Sequence, residues 1–164
     1  MASAAIWAAV TTFLEADIIT GVNAEQTGAL VAGSVTTARA PRGSSPRRAN
    51  AFPLSVEIVP VTPWPRRELG PDDEEVVVLA DLHIDLRSKA LAQGKTQLTT
   101  VENVARALAR RYQGRSNLAI TISGATFVDA SAEVRALDDV SEAELERAVV
   151  RLALTFTEAL AANT

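Results

Sequence analysis

Residues 76–87 read VVVLADLHIDLR, and this stretch decides the fold. Apolar Leu82, Ile84 and Leu86 alternate with polar residues at a period of two, which is typical of a strand with one buried face and one polar face. Residues 54–58 show the same alternation. The two segments therefore predict strands of a sheet that buries one of its faces.

Two segments predict helices. From Ala2 to Asp17, apolar residues recur every three or four positions and form one stripe. The helix Thr99–Tyr112 is the clearest element, because Thr99 and Glu102 form a capping box and Gly114 follows as a left-handed stop. We expect its solvated or partner-facing side to carry Arg106, Arg110, Arg111 and Arg115.

The remaining segments predict further strands, with one ambiguity. Residues 119–123 and 126–135 have strand character and are interrupted near Gly124. Residues 145–160 fit helical spacing, whereas residues 150–157 fit the alternation of a strand equally well. Periodicity alone does not decide between them.

Two stretches, at about residues 36–50 and 60–75, predict long mobile loops, since they are rich in proline, glycine and charge. Loops of this length are usually functional or ordered by a partner. The first is basic and the second ends in an acidic run. The charged residues concerned are Arg39, Arg42, Arg47, Arg48, Asp72, Asp73, Glu74 and Glu75.

Composition excludes several classes of function. The chain has 164 residues, which fits one domain, residues 1–164, and 48% of them are apolar, enough to close a core. A net charge of −4 argues against a general binder of nucleic acid or membrane surfaces. The absence of cysteine excludes thiolate metal sites and thiol nucleophiles, and the single histidine, His83, excludes a histidine-rich metal centre.

No segment predicts an address or an anchor. The apolar run Ala4–Leu14 is too short to span a bilayer, and the first basic residue of the chain is Arg39, so a secretory leader is not expected. We therefore expect a soluble protein that is made in a cytoplasm.

Two motifs invite a chemical interpretation. Gly94-Lys95-Thr96 matches the end of a phosphate-binding loop, but Lys89 stands where that motif requires glycine. Asp81, His83 and Asp85 share one strand face and suggest a metal or acid–base cluster. Alternate residues of a strand are about 6.5–7 Å apart, so a site would need further ligands from neighbouring strands. A polar sheet face is the simpler interpretation; the alternative is a small α+β ligand-binding or hydrolytic domain with a pocket near these three residues.

The order of elements resembles that of tail terminator (tail completion) proteins of long-tailed bacteriophages and gene-transfer particles. The resemblance is carried by the segments Ile6–Leu14, Phe52–Ile58, Val76–Arg87, Thr99–Tyr112 and Arg147–Thr157. It covers most of the chain and is one of pattern and size.

The resemblance implies an α+β fold: a mixed, largely antiparallel sheet of four to five strands, with two helices packed on it and the last segment as a strand. It also implies a structural protein rather than an enzyme, with no cofactor and no metal. Such proteins form a homo-hexameric ring that caps the tail tube, ends its polymerisation and joins the tail to the head connector or head completion protein. DNA would pass only as cargo, and no membrane would be involved. The place would be the head–tail interface of the virion, after assembly in the host cytoplasm.

A closed ring needs two different complementary patches on each subunit. We expect the two charged loops to contribute to these contacts or to docking on the tube and connector. Another joint of the particle, such as a head completion or minor tail protein, is the neighbouring alternative.

Overall fold

The computed structural model describes residues 2–25, 34–37, 54–87, 97–140 and 145–159. These residues form two helices and six strands. In chain order they are α1 (Ala2–Glu25), β1 (Val35–Thr37), β2 (Leu54–Val61), β3 (Arg66–Glu68), β4 (Asp73–Arg87), α2 (Gln97–Tyr112), β5 (Ala125–Val140) and β6 (Leu145–Ala159).

The strands form one sheet in the order β1-β2-β4-β6-β5, with β3 paired to β4. The pair β1 and β2 is parallel, and the other pairs are antiparallel. Because β6 lies along the whole of β4, β3 lies on the edge of β4 that also carries β2. The expected α+β fold, with a mixed and largely antiparallel sheet, is confirmed, and the short β3 adds a strand to it.

The core lies between the helices and one face of the sheet. Every second residue of β4 and β6 is buried there, as the period of a strand requires. The helix α1 contributes a stripe with residues at most 1% exposed, namely Ile6, Val10, Leu14, Ile18 and Val22. The helix α2 contributes Val101, Val104, Ala105, Leu108 and Tyr112.

The helix α1 is longer than the sequence pattern predicts. It continues through Gly21 to Glu25, because Ile18 and Val22 extend the buried stripe. The helical segment Ala4–Ala24 extends beyond the apolar run Ala4–Leu14, and it is long and apolar enough to cross a membrane by length and composition. Its apolar stripe belongs to the core between the helices and the sheet.

Half of the expected acidic loop at residues 60–75 is strand. It contains the end of β2, all of β3 and the start of β4 at Asp73. The prolines of this stretch led to the loop prediction, yet Pro60 lies inside β2, opposite Ala80. Since β1 reaches only as far as Ile58, Pro60 occupies a part of β2 that β1 does not pair, where a missing N–H is tolerated.

The second helix and the final strands need smaller corrections. The helix α2 includes Gln97, so Thr99 lies inside it and the capping box is wrong. The left-handed stop at Gly114 is confirmed by a φ of 71°. Residues 119–123 form no named strand, and β5 starts directly after Gly124. The closing segment is the strand β6, as the resemblance implied.

Candidate assembly surfaces and the polar face of the sheet

Two arginine–carboxylate pairs cross the sheet face that lies opposite the helices. Asp85 accepts hydrogen bonds from Arg147 Nε at 2.6 Å and from Arg147 Nη2 at 2.9 Å. Asp81 accepts two from Arg151 in the same way. In both cases the partners stand directly opposite each other on β4 and β6. The two carboxylates therefore join neighbouring strands.

Both pairs are largely shielded from water. The side chains of Asp85 and Arg147 are only 8% and 14% exposed. The hydrogen bond to Asp81 raises the pKa of Arg151 above its ordinary value, and the negative charges of Asp81 and Glu133 raise it further. Bidentate pairs of this kind combine charge with a fixed geometry. The polar face is thus held rigid by its own ion pairs.

His83 lies between the two pairs and is 5% exposed. Its neighbours in the sheet register are Glu57 on β2 and Val149 on β6. Within the ranges that the structure describes, no three histidine or carboxylate side chains are placed to hold a metal ion. The residues Asp81, His83 and Asp85 share a face, as expected, but both carboxylates bind arginines. This arrangement favours a polar sheet face over a ligand pocket.

The acidic hairpin, defined here as residues 66–75, projects from the β2 side of β4. Two of its four expected contact residues are bound internally: Glu74 to Arg66 at 3.3 Å and Glu75 to Arg67 at 3.1 Å. Arg66 also lies 3.5 Å from the carboxylate of Glu158 on β6, which ties the hairpin to the sheet.

The tip of the acidic hairpin carries the negative charge that these pairs do not balance. Glu68, Asp72 and Asp73 are exposed, and none of them forms an ion pair with another described residue. Leu69 lies among them and is 46% exposed. The tip is therefore an acidic surface with one apolar side chain at its centre. The other four expected contact residues, Arg39, Arg42, Arg47 and Arg48, lie outside the described residues.

A basic surface lies at the C-terminal end of α2. Arg110 and Arg115, the basic helix end, are both exposed. The guanidinium of Arg115 donates to the carbonyl of Arg111 at 3.1 Å and makes no ion pair with a carboxylate of the described ranges. Backbone hydrogen bonds to β5 fix the position of the turn that follows α2. Gly114 N–H donates to the Ala130 carbonyl at 2.9 Å, and Ala130 N–H donates to the Arg115 carbonyl at 2.8 Å. The basic helix end thus belongs to the β5 side of the molecule.

A third polar cluster, on Asp17, joins the two helices, and the sequence did not reveal it. Arg111 donates to both carboxylate oxygens of Asp17 at 2.8 Å, and the Tyr112 hydroxyl donates to the same carboxylate at 2.8 Å. Burial alone would raise the pKa of Asp17, but the hydrogen bonds from Arg111 and Tyr112 and the charge of Arg111 hold it below its ordinary value. Burial, together with the charge of Asp17, raises the pKa of Tyr112. The expectation that Arg111 is solvated is wrong.

One signal in the sequence would have indicated the cross-strand pairs. Asp81 and Asp85 are four residues apart, and so are Arg147 and Arg151. Equal spacing lets two antiparallel strands match both pairs in a single register, and opposite charges directly across a sheet stabilise it. For the cluster on Asp17, the corresponding signal is Gly21, which gives Arg111 room to lie against α1.

Several chains of solved structures are similar to this chain. No family model matches this chain. No curated protein matches it either. A chain of a structure titled "Virion of native gene transfer agent (GTA) particle" is similar over 89% of this chain and 92% of that chain, with 16% sequence identity and a TM-score of 0.44.

Proposed function

We propose that this chain is a tail terminator: a subunit of a sixfold ring that caps the tail tube of a long-tailed phage or gene-transfer particle. The ring ends polymerisation of the tube and joins it to the head connector or head completion protein. The role is structural and not enzymatic, and the place is the head–tail interface of a virion.

The observation that carries this proposal is the position of two different charged surfaces. The acidic hairpin lies on the β2 side of β4, and the basic helix end is bonded to β5, the strand at one edge of the sheet. A head-to-tail ring needs two unlike surfaces that face away from each other. We propose that the acidic hairpin and the basic helix end are these surfaces, on a sheet that Asp81, Asp85 and their arginines brace from strand to strand.

The same bracing argues against the alternative, a ligand-binding or hydrolytic domain near His83. A general base or a metal ligand needs a carboxylate that can approach a substrate or an ion. Asp81 and Asp85 each bind an arginine through both carboxylate oxygens.

Native mass spectrometry and negative-stain imaging of the purified protein test the proposal. Six subunits of 17.4 kDa give a closed ring of about 104 kDa, which we expect with a central hole. Addition of the ring to polymerising tail tube protein should yield shorter tubes with one blunt, capped end. A protein that stays monomeric at its highest soluble concentration and leaves tube length unchanged would contradict the proposal.

A further inference from the structure

We propose that Arg66 is a positioning residue: it ties the acidic hairpin to β6 and holds the hairpin in the position in which it meets a neighbouring subunit. The inference rests on the proposed function, in which the acidic hairpin is a contact surface. It adds the residue that keeps this surface in place.

The acidic hairpin has one supported strand and one unsupported strand. Residues 73–75 belong to β4 and pair with β6, whereas β3 pairs only with β4 among the described strands. All three residues of β3 are exposed. A short strand in a two-stranded pair is only marginally stable in water. The strand β3 therefore depends on side-chain contacts to stay in place.

Arg66 makes such a contact across two strands. It lies opposite Val76 of β4, which is fully buried on the face that the helices cover. Arg66 Nη1 lies 3.3 Å from Glu74 Oε2 on β4 and 3.5 Å from Glu158 Oε2 on β6. Neighbouring strands are about 4.8 Å apart, so this side chain spans about 10 Å of the sheet. It thereby links β3 to the long strand β6.

The two carboxylates explain why a cation is needed at this point. Glu74 and Glu158 stand directly opposite each other on β4 and β6, and like charges in this arrangement destabilise strand pairing. The Glu158 side chain is only 2% exposed, so water and salt screen its charge poorly. The guanidinium of Arg66 offsets both negative charges at once. Its removal therefore affects the base of the acidic hairpin as well as β3.

A hairpin that is held in place binds a partner more tightly than one that must first be ordered. The cost of ordering is part of the free energy of association. The tip of the acidic hairpin follows β3 directly in the chain, so its position depends on that of β3. We therefore expect removal of Arg66 to weaken assembly although every residue of the tip is unchanged.

Arg66→Met and Arg67→Met are the matched pair of variants that test this role. The two residues are adjacent in β3, carry the same charge, and each forms an ion pair with a glutamate of β4. Arg66 also lies against Glu158 of β6. Arg66→Lys keeps the positive charge and is the conservative variant. All three substitutions leave the apolar core unchanged, so each variant should keep the circular dichroism spectrum of the parent chain.

Amide hydrogen exchange measures how firmly the hairpin is held. Leu69 N–H, which donates to the Asp73 carbonyl, should exchange about 10-fold faster in Arg66→Met than in the parent chain. Ala130 N–H on β5 is the reference, and its exchange rate should not change. In Arg67→Met and Arg66→Lys the exchange of Leu69 N–H should stay within about threefold of the parent rate.

A Glu158→Gln background shows whether Arg66 acts through Glu158. Glutamine has nearly the shape of glutamate but no charge, so the contact with Arg66 is already weakened there. Arg66→Met should then accelerate exchange of Leu69 N–H by less than about threefold, because two residues that share one contact are not additive. An unchanged 10-fold effect (about the size expected in the parent chain) would show that Glu158 has no part in holding the hairpin.

Native mass spectrometry over a series of protein concentrations measures assembly in the same variants. The concentration at which half of the ring dissociates should rise about 10-fold in Arg66→Met. It should change by less than about threefold in Arg67→Met and in Arg66→Lys.

Two results would overturn this role of Arg66 and leave the proposed function standing, because the parent ring still forms in both. Equal exchange of Leu69 N–H in Arg66→Met and Arg67→Met would show that Arg66 does not hold the hairpin. Faster exchange without loss of the ring would show that assembly does not depend on the position of the hairpin. A parent chain that forms no ring and does not shorten tail tubes would instead contradict the proposed function, and the assembly role of Arg66 with it.

Discussion

At Gly21 the backbone of α1 passes directly beneath the side chain of Arg111. A Cβ atom at this position would lie 2.6 Å from Arg111 Nε and closer still to Arg111 Cδ. The arginine cannot move aside without loosening its two hydrogen bonds to Asp17. Alanine normally stabilises a helix by about 1 kcal/mol relative to glycine. Here we expect Gly21→Ala to lower the free energy of unfolding by about 1–2 kcal/mol, measured by urea titration.

The control for this prediction is the same substitution in an Arg111→Ala background. Without the overlying side chain, Gly21→Ala should raise the free energy of unfolding by up to about 1 kcal/mol. Destabilisation of equal size in both backgrounds would show that Arg111 is not the reason for the glycine.

The carboxylate of Asp17 should make stability depend on pH at the acid end. Its pKa is lowered in the folded protein, net of the opposing effect of burial, by the hydrogen bonds from Arg111 and Tyr112. The contribution of the ionised Asp17 carboxylate to the free energy of unfolding is therefore complete above the unfolded pKa of about 3.9. This contribution is lost as the pH falls through the lower pKa of the folded state. The difference in unfolding free energy between the parent chain and Asp17→Asn should be constant above about pH 5 and shrink below about pH 4.

Tyr112→Phe is the matched variant for this pH profile. It removes the hydroxyl that donates to Asp17 but leaves Arg111 in place. The folded pKa of Asp17 should then lie nearer its ordinary value, so that a smaller acid-dependent difference remains. If the free energy of unfolding of the parent chain is the same at all pH values between about 3 and 6, the lowered pKa of Asp17 is contradicted. This window follows from the ordinary carboxyl pKa of about 3.9.

At the scale of the element, burial decides which ion pairs of the sheet contribute to stability. The pair of Asp85 and Arg147 is 8% and 14% exposed, whereas Arg67 in the hairpin pair with Glu75 is 70% exposed. Arg147→Met removes the cation that binds both oxygens of the buried Asp85 carboxylate, and it should lower the free energy of unfolding by about 3 kcal/mol. Arg67→Met should change it by less than about 1 kcal/mol.

A double replacement separates the strength of the Asp85 pair from the penalty of breaking it. Replacing both partners of a buried pair by apolar residues is often neutral, because no charge is left buried. Asp85→Leu combined with Arg147→Met should therefore recover most of the stability that Arg147→Met alone removes. A double variant less stable than the single one would show that the pair is itself strongly stabilising.

The elements differ in how far local sequence decides them. The strand at residues 76–87 is predictable because every second residue of β4 from Val76 to Leu86 is apolar and buried. The strand β3 is not predicted, because it has only three residues, too few for a periodic pattern, and it is a strand only through its pairing with β4. The sequence pattern ends α1 too early, at Asp17, because a glycine at position 21 is unfavourable in a helix, whereas the structural reason for Gly21 is the side chain of Arg111 on α2. Arg151 and Asp81 are 70 residues apart in the sequence and are brought together by the register of β4 and β6, which no local pattern specifies.

At the scale of the whole molecule, the long strand β5 lies at the edge of the sheet. Its described contacts on the outer side are made by the turn after α2, to the main chain at Ala130 and to the N–H of Ala132 through the Gln113 side chain at 2.7 Å. An edge strand can pair with a strand of another chain. The edge is therefore a route to self-association that is distinct from the charged surfaces of the proposed ring.

Val134→Lys discriminates between these two routes. Val134 is 39% exposed on β5, so a lysine there can reach water and should change the free energy of unfolding by less than about 0.5 kcal/mol. Val150, directly opposite on β6, is fully buried, and Val150→Lys should destabilise the fold by several times that amount. A charge on an edge opposes strand pairing, so light scattering on heating should fall in Val134→Lys. Its native mass should still be that of the ring, because the hairpin and helix surfaces are unchanged. Loss of the ring in a folded Val134→Lys protein would instead identify the β5 edge as the subunit contact.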